Sequence, residues 1–151
     1  MATTGGGSGD DLLIGDNAID LAIYTDATGD ISVNLDDSIA LGGGTGLDLL
    51  LSIERTGDAS VGSDTLIGES DGIRFVHADA YGADTVGDFS GIADGQRDLV
   101  YPTGVTGINS FADDMSQWSH VGADVVIDFG GGDTLTLQNT FIASLQDDSI
   151  F

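Results

Sequence analysis

The stretch Gly6-Gly7-Ser8-Gly9-Asp10-Asp11-Leu12-Leu13-Ile14 decides the reading of this chain. It follows the nonapeptide pattern G-G-x-G-x-D-x-U-x, with U a bulky aliphatic residue. Glycine opens the tight turns that other residues avoid, so a turn built on Gly7 and Gly9 can face its carbonyls inward. Asp11, sixth in the pattern, adds a hard anionic oxygen. Leu13, eighth, belongs to a short strand that enters a core. Loop carbonyls plus a carboxylate describe a calcium site, since Ca²⁺ takes about six to eight oxygen ligands in loose geometry.

Partial copies of the unit follow. Gly62-Ser63-Asp64-Thr65-Leu66 and Gly82-Ala83-Asp84-Thr85-Val86 keep G-x-D-x-U but lack the leading glycine pair. A weaker copy centres on Asp20, with Ala18 where the inner glycine should stand, and another on Ile73, where the carboxylate is lost. A glycine turn plus a short strand, repeated on two sides, builds the coil of a parallel β-roll, because no single unit can bury its aliphatic residues alone. The candidate calcium ligands are therefore Gly7, Gly9, Asp11, Asp20, Gly62, Asp64, Gly82 and Asp84. Asp11, Asp64 and Asp84 are expected to form one column up the solenoid.

Between Asp20 and Asp64 the coil is enlarged. Ala22-Ile23-Tyr24, Ile31-Ser32-Val33-Asn34-Leu35 and Leu49-Leu50-Leu51-Ser52-Ile53 read as strands, with turns at Ala27–Asp30 and Gly42–Gly46. Beyond Phe89 the glycine turns thin out. A short helix is expected from Ile108 to Ser119, with Ser110 ahead of Asp113 as in a capping box and Phe111, Met115 and Trp118 on one face. A hairpin follows: Asp124–Phe129, the turn Gly130-Gly131-Gly132, and Asp133–Leu137. The expected fold is all-β, a parallel β-roll over residues 1–89 with a cap over 90–151 that contains the helix and the hairpin, the two forming one continuous structural domain. Such a cap would cover the roll's open last rung.

Composition narrows the function. The chain has 151 residues and a net charge of −23, with no lysine and three arginines, Arg55, Arg74 and Arg97. Nucleic acid needs a basic footprint, so it is excluded as a partner. Of the 26 acidic residues only Glu54 and Glu69 are glutamate. A chain acidic only for solubility would use both acids; aspartate suits turns and ions lined by backbone. Cysteine is absent, which removes disulfides and thiolate metal sites. His77 and His120 lack a zinc-ligand spacing. No apolar run approaches membrane-spanning length, so membrane insertion is not expected, and the start of the chain carries no secretory signal peptide. Without lysine there is no Walker A loop, no G-x-S-x-G elbow occurs, and pairs such as Asp36-Asp37 arise by chance in so aspartate-rich a chain. No catalytic residues are assigned, and the chain is not expected to be an enzyme.

These residues resemble a known family. The first part is similar to the calcium-binding repeat region of RTX (hemolysin-type) proteins. The order Asp84-Thr85-Val86-Gly87-Asp88-Phe89, then Val125–Phe129, then Gly130-Gly131-Gly132-Asp133-Thr134-Leu135 resembles the C-terminal region that follows such repeats, and Asp147-Asp148-Ser149-Ile150-Phe151 resembles its acidic-then-apolar end. The resemblance implies an uncleaved C-terminal signal read by a type I secretion apparatus, an extracellular location without an N-terminal signal peptide, and a roll that folds on meeting calcium. In that family two aspartates from stacked turns share an ion, and one to three ions are expected here. Such regions usually follow a cargo domain that carries any catalytic activity. The alternative is an accessory carbohydrate-binding roll, resembling those of mannuronan epimerases, whose partner would be an extracellular polysaccharide. A third reading is a purely structural, acid-adapted solenoid indifferent to chelation.

Overall fold

The computed structural model describes residues 3–16, 20–24, 27–53, 55–56, 61–68, 74–77, 82–90, 98–102, 105–107 and 116–145. Short strands separated by glycine and aspartate turns dominate these segments. One sheet joins β1 (Thr3–Gly5), β3 (Leu21–Ile23) and β7 (Arg55–Thr56) in parallel. Beside β7 lies β9 (Arg74–His77), itself paired in parallel with β11 (Leu99–Pro102).

The second sheet has nine strands: β2 (Leu12–Ile14), β4 (Ile31–Asn34), β5 (Ile39–Gly42), β6 (Leu47–Leu51), β8 (Thr65–Ile67), β10 (Ala83–Val86), β12 (Trp118–Val121), β13 (Asp124–Gly130) and β14 (Asp133–Leu137). Their spatial order is β12-β13-β14-β10-β8-β4-β5-β6-β2. β14, β10, β8 and β4 run parallel, as do β6 and β2. The fold is thus an all-β roll of parallel rungs.

The enlarged coil turns out to be an antiparallel meander. β5 runs opposite to both β4 and β6, so two extra strands enter the ladder between β4 and β2. The expected C-terminal hairpin is present, β13 against β14, with an irregularity between Asp128 and Gly130. Its second strand continues the parallel ladder on β10, in register Ala83↔Thr134 through Val86↔Leu137. The expected helix falls mostly on 108–115, outside the described residues. At its end, Ser116 and Gln117 form a turn and Trp118 begins β12, paired opposite Ile127, so Trp118 is a strand residue and not a helix residue.

Alternation explains where the core sits. Successive side chains of a strand point to opposite faces. Leu13 on β2, Val33 on β4, Ala40 on β5, Leu50 on β6, Leu66 on β8, Val86 on β10, and Leu135 and Leu137 on β14 therefore all point inward and are buried. They form one cluster with Ala22 of β3 and Val100 of β11 from the facing strands. Each large aliphatic side chain buried there contributes about 1.5–3 kcal/mol.

Candidate metal centre

The glycine turn ahead of β2 has a twin. Gly43-Gly44-Thr45-Gly46-Leu47-Asp48-Leu49-Leu50-Leu51 fits the same nonapeptide pattern at every fixed place. Its strand, β6, pairs in parallel with β2 in the register Leu12↔Leu49, which puts Asp48 opposite Asp11. Corresponding glycines share the left-handed backbone: φ is +78° at Gly7 and +83° at Gly44, +106° at Gly9 and +93° at Gly46. The two turns are stacked so closely that a Cβ on Gly46 would fall 2.5 Å from the Gly9 carbonyl.

Cross-links hold the pair in register. The Asp11 N–H donates to Asp48 Oδ1 at 2.9 Å, the Leu47 N–H to Asp10 Oδ1 at 3.0 Å, and the Leu49 N–H to the Asp11 carbonyl at 2.9 Å. The other oxygens, Asp11 Oδ2 and Asp48 Oδ2, are buried and accept no hydrogen bond from the described residues. Both face the Gly6-Gly7 segment. A Cβ on Gly6 would overlap Asp48 Oδ2, and one on Gly7 would lie 3.9 Å from Asp11 Oδ2. Asp48 is 0 % exposed.

Tyr24 closes this cradle from the core side. Its ring edge lies 2.9 Å from the position a Gly6 Cβ would occupy. Its hydroxyl is buried and makes no hydrogen bond of good geometry. Burial first, then the negative charge of Asp48 and a long hydrogen bond toward it, then the charge of Asp11, push the phenol well above its ordinary pKa. The hydroxyl therefore keeps its proton beside two carboxylates.

Orphaned, buried carboxylate oxygens are costly. Each leaves about 1–3 kcal/mol of desolvation uncompensated, and more when charged. A cation between the two turns removes that penalty, so the residues present fit one. The donors are two carboxylates and glycine-turn backbone, all oxygen, which suits Ca²⁺ better than zinc. Among the described residues no three carboxylate or imidazole groups converge on one point. The remaining ligands would have to be backbone oxygens.

The other expected ligands occupy a different part of the ladder. Gly62 and Gly82 form a parallel bridge. The Asp64 N–H donates to Asp84 Oδ1 at 3.1 Å, and the Ile31 N–H to Asp64 Oδ1 at 2.9 Å. The same cap recurs where the Gly82 N–H donates to Asp133 Oδ1 at 3.0 Å and the Ser63 N–H to Asp30 Oδ1 at 2.9 Å. Asp64 and Asp84 do stack on adjacent rungs, but the column next meets Ile31. Asp11 lies beyond β4, β5 and β6 and pairs with Asp48 instead. The expected three-aspartate column is thereby corrected: Asp64 and Asp84 stack, and the meander separates Asp11 from them. Asp20, buried ahead of β3, accepts the Asp16 N–H through Oδ2 at 2.6 Å, next to Gly15.

Asp48 is the residue that sequence reasoning missed. The signal was a second complete nonapeptide, overlooked when Gly42–Gly46 is read only as a turn between strands. His120 lies on β12, at the opposite edge of the sheet from β2.

This is a β-roll with a two-turn acidic cradle. No protein-family model matches the chain, and no curated protein matches it. Among solved structures it is similar to the extracellular lipase LipA from Serratia marcescens, with a TM-score of 0.50 and 13 % identity, over 99 % of this chain and 38 % of that one. The likeness is one of fold, and the chain spans well under half of the lipase.

Proposed function

We propose that this chain is a calcium-binding β-roll module of a secreted protein, with one ion held between the stacked turns at Gly6–Asp11 and Gly43–Asp48. The observation that carries the reading is the pair of buried carboxylate oxygens on Asp11 and Asp48 that accept no hydrogen bond of good geometry, set in two stacked turns that share left-handed glycines at Gly7 and Gly44 and at Gly9 and Gly46. Calcium would supply the positive charge those oxygens lack. The turns supply register, Tyr24 excludes water from the core side, and Gly6 leaves room for the carboxylate. The aspartates at 30, 64, 84 and 133 each accept a backbone N–H through Oδ1, as Asp48 does, and so join rungs; Asp11 and Asp48 differ from them in the buried Oδ2 atoms that accept no hydrogen bond of good geometry.

The resemblance of Val125–Leu135 to the region that follows RTX repeats supports export by type I secretion, and the extracellular setting of the lipase with a like fold supports a secreted location. Calcium then acts by mass action. Extracellular modules bind at about 10⁻⁴–10⁻³ M, a concentration met outside the cell and not in the cytosol. At about a hundredfold excess over Kd one site stabilises the fold by roughly 2.7 kcal/mol.

Calorimetric titration of the full chain with calcium, after EGTA treatment and dialysis, tests the reading. One mole of ion per mole of chain is expected, lost in Asp11→Asn and Asp48→Asn and retained in Asp84→Asn. Retention of the ion by both of the first two variants would refute the site. No uptake by the wild-type chain would refute the calcium function as a whole.

A further inference from the structure

The outer face of the nine-stranded sheet changes character along its length. On β4, β8, β10 and β14 the outward positions include Ser32, Thr65, Thr85 and Thr136, with Ile67 partly buried among them. On the last three strands they are Leu41 of β5, Leu47, Leu49 and Leu51 of β6, and Leu12 and Ile14 of β2, exposed by 44 to 64 %. Register makes these six one surface: Leu41 stands opposite Leu47, Leu49 opposite Leu12, and Leu51 opposite Ile14. Asp48, the acid among them in sequence, points inward. The roll does not require this surface, since the neighbouring strands carry threonine at equivalent places.

We propose that this aliphatic face is a self-association surface, on which a second copy of the chain packs sheet to sheet about a two-fold axis. Six side chains, each about half exposed, present on the order of 500 Å² of aliphatic surface, at the upper end for a patch on a monomer. Two copies together bury on the order of 1,000 Å² before any rim contributes, the lower bound for a specific interface. A two-fold axis sets the same patch against itself, and two sheets can pack face to face about 10 Å apart. Area argues for this occupant, since the patch paired with itself reaches the size a specific interface needs, and charge disfavours an anionic surface. With a net charge of −23 the chain is repelled by anionic lipid, whereas the six facing positions carry no charge to oppose each other. The long-range repulsion between two such copies is screened by salt, so association strengthens as ionic strength rises. The inference stands apart from the calcium reading, because strand alternation alone exposes these residues.

Sedimentation velocity on the full chain tests it, at about 1–200 µM, in low and high salt, with calcium and with EGTA. Expected is a monomer–dimer equilibrium rising through the micromolar range and shifted toward dimer by salt, in at least one of the two metal conditions. Leu49→Thr and Leu41→Thr, which use the residue the same sheet carries elsewhere, should each weaken dimerisation by about tenfold or more, because the loss occurs in both copies. Both should keep the wild-type circular dichroism spectrum. Val121→Thr, at the far edge of the sheet, should change nothing. A monomer at every concentration, a dimer unmoved by both leucine variants, or a wild-type monomer that binds neutral phosphatidylcholine vesicles would overturn the proposal.

Discussion

Replacing Asp48 by asparagine should stabilise the protein in one buffer and destabilise it in another. The substitution keeps the shape and keeps Oδ1 as acceptor for the Asp11 N–H. It exchanges the orphaned Oδ2 for an amide that can donate toward Asp11 Oδ2 or the Tyr24 hydroxyl, both buried and without a hydrogen bond of good geometry. In EGTA the variant is relieved of one buried charge and gains a donor, worth about 2 kcal/mol on the scale for unsatisfied buried groups. For a chain of this size that raises Tm by about 4–8 °C. In calcium at about a hundredfold excess over Kd the wild type gains about 2.7 kcal/mol, which the variant loses with its ligand. The variant then melts about 1–3 °C below wild type. Thermal melts followed by circular dichroism in EGTA and in calcium would therefore cross. If Asp48→Asn were destabilised by the same amount in both buffers, Asp48 would be no more than a cap for the Asp11 amide, and the reasoning would fail.

Gly6→Ala should abolish the calcium-dependent rise in Tm, because its Cβ collides with the Asp48 carboxylate, and should cost about 1–3 kcal/mol by overpacking, read in the same melts. Asp84→Ala leaves the buried Asp64 N–H without its acceptor and should lower stability by about 1–3 kcal/mol equally with and without calcium, checked by urea unfolding. Tyr24 makes stability depend on alkaline pH. Its folded-state pKa lies above the unfolded value of 10.0, so its contribution is complete below that value and is lost as pH rises beyond it. In EGTA, phenolate absorbance should show one of the three tyrosines ionising only with unfolding, and Tyr24→Phe should remove that step.

Much of this fold could be read from local pattern. The nonapeptide at Gly6–Ile14 announces a turn and a strand whose eighth residue, Leu13, is buried as expected. The C-terminal hairpin was equally legible, because Gly130-Gly131-Gly132 divides two alternating runs. Long-range register was not. That Leu12 pairs with Leu49, and Thr85 with Thr65, depends on which rung the chain returns to, and glycine–aspartate turns all look alike at that distance. Ile39-Ala40-Leu41 is too short to declare its direction, so the antiparallel β5 was invisible. With it went the displacement of Asp11 from Asp64. Trp118 misled through spacing: Phe111, Met115 and Trp118 recur at helical intervals, yet Trp118 is held in a strand by its pairing opposite Ile127. The cradle was half visible, since Asp11 lay in the first motif and its partner in a second one hidden by the flanking leucines.

The meander β4-β5-β6 also bears on the order in which the chain assembles. Its partners are close in sequence, Asn34 with Ile39 and Leu41 with Leu47, so closing those contacts costs little chain entropy. The joins that finish the roll span far more chain, Leu12 with Leu49 and Ala83 with Thr134. Local contacts form fastest, which makes the meander the expected nucleus onto which rungs are added in both directions. Pulsed hydrogen exchange would then show amides of β4 to β6 protected ahead of those of β2 and β14.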